Sequence, residues 1–154
     1  MLAALKTGVK GDKWHSLLDK VSRLETLGLG WKQVERNAGA AGVDRMSVAR
    51  FAQGRDCYLA ELAQALRDGS YRPQPVRRVY IPKGKGQRPL GIPAVKDHVV
   101  QAALKLVIEP IFEYGFEHRS DGFRQGLGCK DALREVNIRL THSSQEKAKR
   151  LFVD

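Results

Sequence analysis

The sequence predicts an α+β chain, and three observations carry that prediction. Apolar residues recur at helical spacing over residues 12–28, over 56–68, from about 97 onward and over 130–140. Between the second and third of these, two short β-type runs from Val76 to Ile81 and from Arg88 to Pro93 are bracketed by Pro and Gly. The length of 154 residues, 42% of them apolar, is enough for one domain with a modest core.

In the first helix Trp14, Leu17, Leu18, Val21 and Leu24 fall on one face, and Gly28 and Gly30 are expected to stop it. Trp31 to Asn37 forms a short segment leading into Ala38-Gly-Ala-Ala-Gly-Val-Asp44, whose Gly, Ala and Asp content marks a loop. The second helix carries Tyr58, Leu59, Leu62, Ala65 and Leu66, with Asp56 as candidate N-cap and Gly69 as stop. In the first strand Arg77, Val79 and Ile81 share one side, and Val76, Arg78 and Tyr80 the other. Lys83-Gly-Lys-Gly-Gln87 supplies a tight turn, and Arg88-Pro-Leu-Gly-Ile-Pro93 returns with prolines suited to an edge. The third helix has the stripe Val100, Ala103, Leu104, Val107, Ile108, Ile111 and Phe112, Asp97 at its start and a kink or early end expected at Pro110. A Gly-rich charged loop, Glu117 to Gly128, precedes a last helix with Ala132, Leu133, Val136 and Leu140. Beyond it, Ser143 to Glu146 has capping-box spacing.

The formal charge of +10 favours a polyanionic partner, most simply nucleic acid. The charge is clustered: between Asp68 and Asp97 lie seven Lys or Arg side chains and no carboxylate. Cys57 and Cys129 are far apart and form no C-x-x-C pair, which reads as two buried or idle thiols in a reducing cytosol. The four His residues have no metal-ligand spacing, and there is no P-loop, nucleophile elbow or HExxH. The N-terminus is too short and too weakly apolar for a signal peptide, and no run approaches the ~20 apolar residues of a membrane span, so a cytoplasmic location is expected.

A basic hairpin can hold phosphates. Arg presents a planar fork, Lys a compact charge, and turn glycines let backbone N–H groups approach the anion. Lys83 and Arg88 flank such a turn. The same charges on an edge can instead serve only to block strand-to-strand aggregation, and the spacing leaves both readings open.

The run from Tyr71 through Lys83, continued by Gly86-Gln-Arg-Pro-Leu-Gly-Ile-Pro93, resembles the first conserved block of reverse transcriptases encoded by bacterial group II introns. Asn37 to Asp44 resembles the block before it, and Asp97 to Leu104, Leu106 to Glu113 and Ser120 to Arg124 resemble those after it. The blocks stand in the family's order over residues 31–136. The resemblance implies a right-hand polymerase fold, with residues 1–70 as a helical N-terminal extension and 71–154 as fingers. It implies that Lys83 and Arg88 grip the triphosphate of an incoming dNTP, and that Arg77, Arg78, Lys85, Phe123 and Arg124 contact nucleic acid. RNA, as template or intron, is the implied partner.

Four departures from the family pattern stand out. His98 replaces an Arg, Asp121 an aromatic, Gln125-Gly-Leu-Gly128 a Pro-Gly-Arg-Ser run, and Arg45 the Gly that follows Val-Asp. The family's chemistry uses two Mg²⁺ ions held by palm carboxylates, including a Tyr-x-Asp-Asp turn absent from these residues. Leu151-Phe-Val-Asp154 looks like the opening of the first palm strand, with the metal-binding Asp two positions beyond Asp154. The expectation is therefore an N-terminal fragment with the palm missing, binding no metal and inactive as a polymerase alone. Apolar fingers surface left exposed would favour association. A non-catalytic RNA-binding module and a decayed gene remnant stay open as alternatives.

Overall fold

A computed structural model describes residues 17–117, 120–122, 124 and 126–151, with side chains described as far as residue 141. Its elements run α1 (Leu17–Val21), α2 (Leu24–Asn37), α3 (Val48–Gln53), α4 (Arg55–Arg67), β1 (Arg77–Lys83), β2 (Gly86–Ile92), α5 (Val95–Gly115) and α6 (Cys129–Leu151). The predicted mixture of helices and one antiparallel hairpin is thus observed. The chain divides into two compact units, Met1–Ile111 and Phe112–Asp154, and the hairpin falls in the first.

The first unit is built around an apolar cluster. α2 contributes Leu27, Trp31 and Val34, α3 contributes Phe51, α4 contributes Leu59, Leu62, Ala63 and Leu66, and α5 contributes Val95, Val99, Ala103 and Val107. Full burial of a large apolar side chain is worth about 1.5–3 kcal/mol. Trp31 stacks on Phe51 with centroids 4.7 Å apart, and Phe51 meets Tyr58 at 5.0 Å. Lys96 sits 4.7 Å over the Tyr58 ring while its Nζ donates to Glu61 Oε2 at 2.8 Å, fastening α5 to α4.

Several helix boundaries differ from expectation. α1 ends at Val21, and α2 then runs through both Gly28 and Gly30 to Asn37. Gly30 is buried because a Cβ there would stand 2.8 Å from the Val99 carbonyl oxygen and 3.0 Å from Ala103 N, so α2 and α5 meet backbone to backbone. The helix ends instead at Ala38, whose φ of 44° is left-handed and whose N–H bonds to the Val34 and Glu35 carbonyls. α3 has no counterpart among the predicted elements; Ser47 caps it by accepting from Arg50 N at 3.2 Å. α4 is capped by Gly54 rather than Asp56, whose carboxylate binds the neighbouring Arg55. α5 continues past Pro110 to Gly115. Its buried stripe is Val95, Val99, Ala103 and Val107, while Leu104 is 43% and Phe112 61% exposed.

In the second unit α6 extends from Cys129 through the Ser143–Glu146 stretch to Leu151. Asp131 Oδ2 accepts from Gly128 N at 3.0 Å and fixes the start of the helix. Leu133, Val136 and Leu140 are 69%, 54% and 62% exposed, so the expected apolar face is not covered. Cys57 and Cys129 are both free and exposed, so of the two expected readings, buried or idle, burial does not hold. Among the described residues no helix is long and apolar enough to cross a membrane.

Candidate nucleotide and nucleic-acid interface

The hairpin owes its form to its turn. β1 and β2 pair without a break from Arg77↔Ile92 to Lys83↔Gly86, leaving Gly84 and Lys85 as a two-residue loop. Gly84 has φ 57°, the sign that the first central residue of a type II′ turn requires and that an L side chain resists. Both strands run two residues closer to the turn than their apolar pattern indicated. Pro82 and Pro89 are accommodated because each strand of a two-stranded sheet is an edge.

The register decides which side chains act together. Residues directly opposite share a face, and faces alternate along each strand. Arg77, Val79, Ile81 and Lys83 therefore share one face with Arg88, Leu90 and Ile92. Arg88 lies opposite Ile81, two positions from Lys83, so Lys83 and Arg88 are diagonal cross-strand neighbours, a relation that spans about 7–8 Å. Arg78, Tyr80 and Pro82 occupy the other face with Gln87 and Pro89. The only partly buried hairpin side chains, Val79, Ile81 and Ile92, all lie on the Lys83–Arg88 face.

Arg77, Arg78, Lys83, Lys85 and Arg88 are all exposed, and none forms an ion pair among the described residues. Among the described residues the ribbon packs extensively on no helix; its two legs are fixed at the base. On the incoming leg, the buried Asp97 of α5 accepts from the Tyr71 hydroxyl through Oδ1, and from Gln74 N through Oδ2 at 3.0 Å. Burial first, and then the bond to Asp97, push the Tyr71 phenol above its ordinary pKa. On the outgoing leg, Gly42 lies against the β2–α5 junction: a Cβ there would come within 2.6 Å of Ala94 N and 2.7 Å of the Pro93 carbonyl oxygen. The sequence places Asp97 only at the start of α5; its partners, 23 and 26 residues away, give it a second task.

Arg124 is engaged elsewhere. Its Nε and Nη2 donate to Glu113 Oε1 at 2.8 and 2.6 Å, and Nη1 donates to the Ser120 and Glu117 carbonyls at 3.0 and 3.3 Å. The guanidinium also lies 5.6 Å from the Phe116 ring centroid, and the side chain is only 15% exposed. In this arrangement Arg124 closes the loop after α5 on itself. Phe123 lies outside the described residues.

Among the described residues no three His, Cys, Asp or Glu side chains gather in a way that could hold a metal ion.

No family model matches the chain. Known proteins do. Protein YkfC of Escherichia coli K12 is 38% identical over 115 residues, which is 74% of this chain and 30% of that protein. The group II intron-encoded protein LtrA of Lactococcus lactis subsp. cremoris is 45% identical over 80 residues, 51% of this chain and 13% of LtrA. The putative COX1/OXI3 intron 1 protein of Saccharomyces cerevisiae is 36% identical over 80 residues, 51% of this chain and 10% of that protein. The chain thus spans less than a third of the length of these relatives. Identity at this level to several intron-encoded proteins agrees with the ordered blocks of the sequence and supports an intron-encoded reverse transcriptase/maturase.

Proposed function

We propose that this chain supplies the nucleotide-gripping fingers hairpin and part of the RNA-binding surface of an intron-encoded RNA-directed DNA polymerase with a maturase role. The single observation that carries the reading is the hairpin register, which sets Lys83 and Arg88 as diagonal neighbours on one face, exposed and without ion pairs among the described residues. Two cations so spaced can contact two phosphates of one triphosphate. The Gly84–Lys85 turn lets backbone N–H groups approach a third. In phosphoryl transfer they neutralise charge that shifts on the β and γ phosphates.

Magnitude limits what these residues do alone. A cation and a phosphate about 4 Å apart in water attract by about 1 kcal/mol. Two or three such contacts give binding weaker than about 1 mM. The metal-binding carboxylates are supplied from outside the described residues, and these residues by themselves do not polymerise. RNA binding needs no carboxylates and falls to the same basic ribbon.

Titration of the ¹⁵N-labelled chain with a dNTP tests the grip. The expected result is amide shifts at Lys83 to Arg88 that grow through the millimolar range without saturating and are lost in the Lys83→Ala/Arg88→Ala double variant. Equal shifts in the double variant would refute it. Primer extension on an RNA template with Mg²⁺ tests inactivity, and cDNA synthesis that Lys83→Ala or Arg88→Ala abolishes would overturn it.

A further inference from the structure

The face of the hairpin opposite Lys83 and Arg88 carries a residue that the triphosphate grip does not use. Tyr80 lies in the middle of β1, opposite Pro89, and is 55% exposed. An exposed aromatic in the middle of a strand is left in water at a cost unless something covers it. Its face-sharing neighbours along β1 are Arg78 and Pro82, and Gln87 lies diagonally across on β2. Arg78 is exposed and forms no ion pair among the described residues. No carboxylate occurs anywhere between Asp68 and Asp97.

We infer that this second face is a stacking platform for single-stranded RNA, with a base seated on the Tyr80 ring and a flanking phosphate on Arg78. Charge complementarity selects the occupant. A ribbon with five cations and no carboxylate repels basic partners and attracts a polyanion. The pairing of an aromatic ring with an adjacent Arg suits a strand whose bases are unstacked and whose phosphates lie beside them. A duplex keeps its bases stacked internally and offers Tyr80 no face. Because the two hairpin faces are distinct, the ribbon can hold a nucleotide on one side and an RNA strand on the other. The inference rests on the reading that the chain handles RNA, and not on the triphosphate grip.

The test compares binding of a fluorescent 12-nucleotide single-stranded RNA and of an RNA duplex by the wild-type chain and by Tyr80→Ala, Tyr80→Phe, Arg78→Ala and Lys83→Ala/Arg88→Ala. Tyr80→Ala is expected to weaken single-strand binding about 10-fold with its salt slope unchanged, and Tyr80→Phe to retain it, because a ring suffices for stacking. Arg78→Ala is expected to weaken binding and lower the salt slope by about 0.7, one phosphate contact on a single strand. Duplex binding is expected to be insensitive to Tyr80→Ala. Circular dichroism of each variant establishes that the fold is kept, as an exposed strand position allows. Unchanged single-strand affinity in Tyr80→Ala overturns the inference while leaving RNA binding intact; so does an equal loss for duplex. Tyr80-dependent self-association in sedimentation without RNA would give the face to a second copy of the chain and overturn it too. Failure of the wild type to bind any RNA overturns the broader reading as well.

Discussion

The base of the hairpin offers the sharpest test of how this fold positions its charges. Asp97 is 4% exposed and uses both carboxylate oxygens, Oδ1 for the Tyr71 hydroxyl and Oδ2 for Gln74 N. An asparagine there is neutral, with one oxygen to accept from Gln74 N and an NH₂ that the Tyr71 hydroxyl can meet only by accepting instead of donating. Asp97→Asn therefore exchanges two charge-assisted hydrogen bonds for neutral ones, a change of about 1–3 kcal/mol. Tyr71→Phe removes the hydroxyl donor and costs about the same by the same reasoning. The double variant is expected to cost clearly less than the sum. One change weakens the Tyr71–Asp97 bond and the other removes it, so the double variant loses that bond only once. A coupling of about 1 kcal/mol or more between the two positions follows. Urea unfolding at pH 7 of the four proteins measures it. Amide exchange adds location: the β1–β2 ladder is expected to lose protection in both single variants before the Trp31–Phe51 core does. A neutral Asp97→Asn, or strict additivity, would refute the two-acceptor account.

The same tie predicts a pH dependence. The folded-state pKa of Tyr71 is raised, so its contribution is fully present below the unfolded phenol pKa near 10 and is lost as pH rises above it; wild-type stability is expected to fall in that range more than that of Tyr71→Phe, as melts at pH 8 and pH 11 would show. Two glycines of α2 are expected to respond with opposite sign. A Cβ at Gly28 meets nothing within 4 Å, so Gly28→Ala stabilises by about 0.5–1 kcal/mol, whereas at Gly30 it strikes Val99 and Ala103 backbone and Gly30→Ala costs about 1–3 kcal/mol, both read by urea unfolding. Arg45 holds φ 56°, the left-handed conformation in which a β-carbon is unfavourable, so Arg45→Gly is expected to stabilise by about 0.5–1 kcal/mol in the same assay.

What the sequence disclosed depended on the range of the interaction that decides each feature. The hairpin was legible because alternation and turn glycines are local, and the register followed once Gly84 fixed the loop. Arg45 stands where the family has a glycine, and its positive φ explains why a glycine suits that position. Gly28 and Gly30 read as stops by propensity, yet α2 passes through both because the close approach to α5 at Gly30 depends on residues some seventy positions away. The buried side of α5 escapes the periodicity for a related reason. Apolar residues surround much of that helix, and only packing chooses Val95, Val99, Ala103 and Val107 over Leu104 and Phe112. The double role of Asp97 had no local signal at all. For Arg124 the cue was present in part, since Glu113 in the last turn of α5 and Phe116 just after it precede it by a few residues, but a charge near glycines reads more readily as a ligand contact than as a loop clasp.

Because the ribbon is held at its base and packs extensively on no helix among the described residues, the charge it carries and the place where it presents that charge are separable quantities. On the proposed reading, removing a cation such as Arg77 or Arg78 is expected to remove one phosphate contact, so that RNA affinity falls and its dependence on salt becomes shallower. Replacing Gly42 by Ala adds no charge and removes none. The new Cβ would lie 2.6 Å from Ala94 backbone, nearer than any real contact allows, so the β2–α5 junction must shift and tilt the ribbon with it. If RNA spans the ribbon and other basic surface at once, that shift lowers affinity while the remaining phosphate contacts keep the salt slope close to that of the wild type. If RNA binds the ribbon alone, Gly42→Ala moves protein and ligand together and affinity stays unchanged in any variant that remains folded. Binding isotherms at several salt concentrations for wild type, Arg78→Ala and Gly42→Ala therefore distinguish an isolated charged finger from one element of an extended RNA surface. An extended surface is expected, because the hairpin's five cations are only part of the 27 Lys and Arg that give the chain its +10 charge.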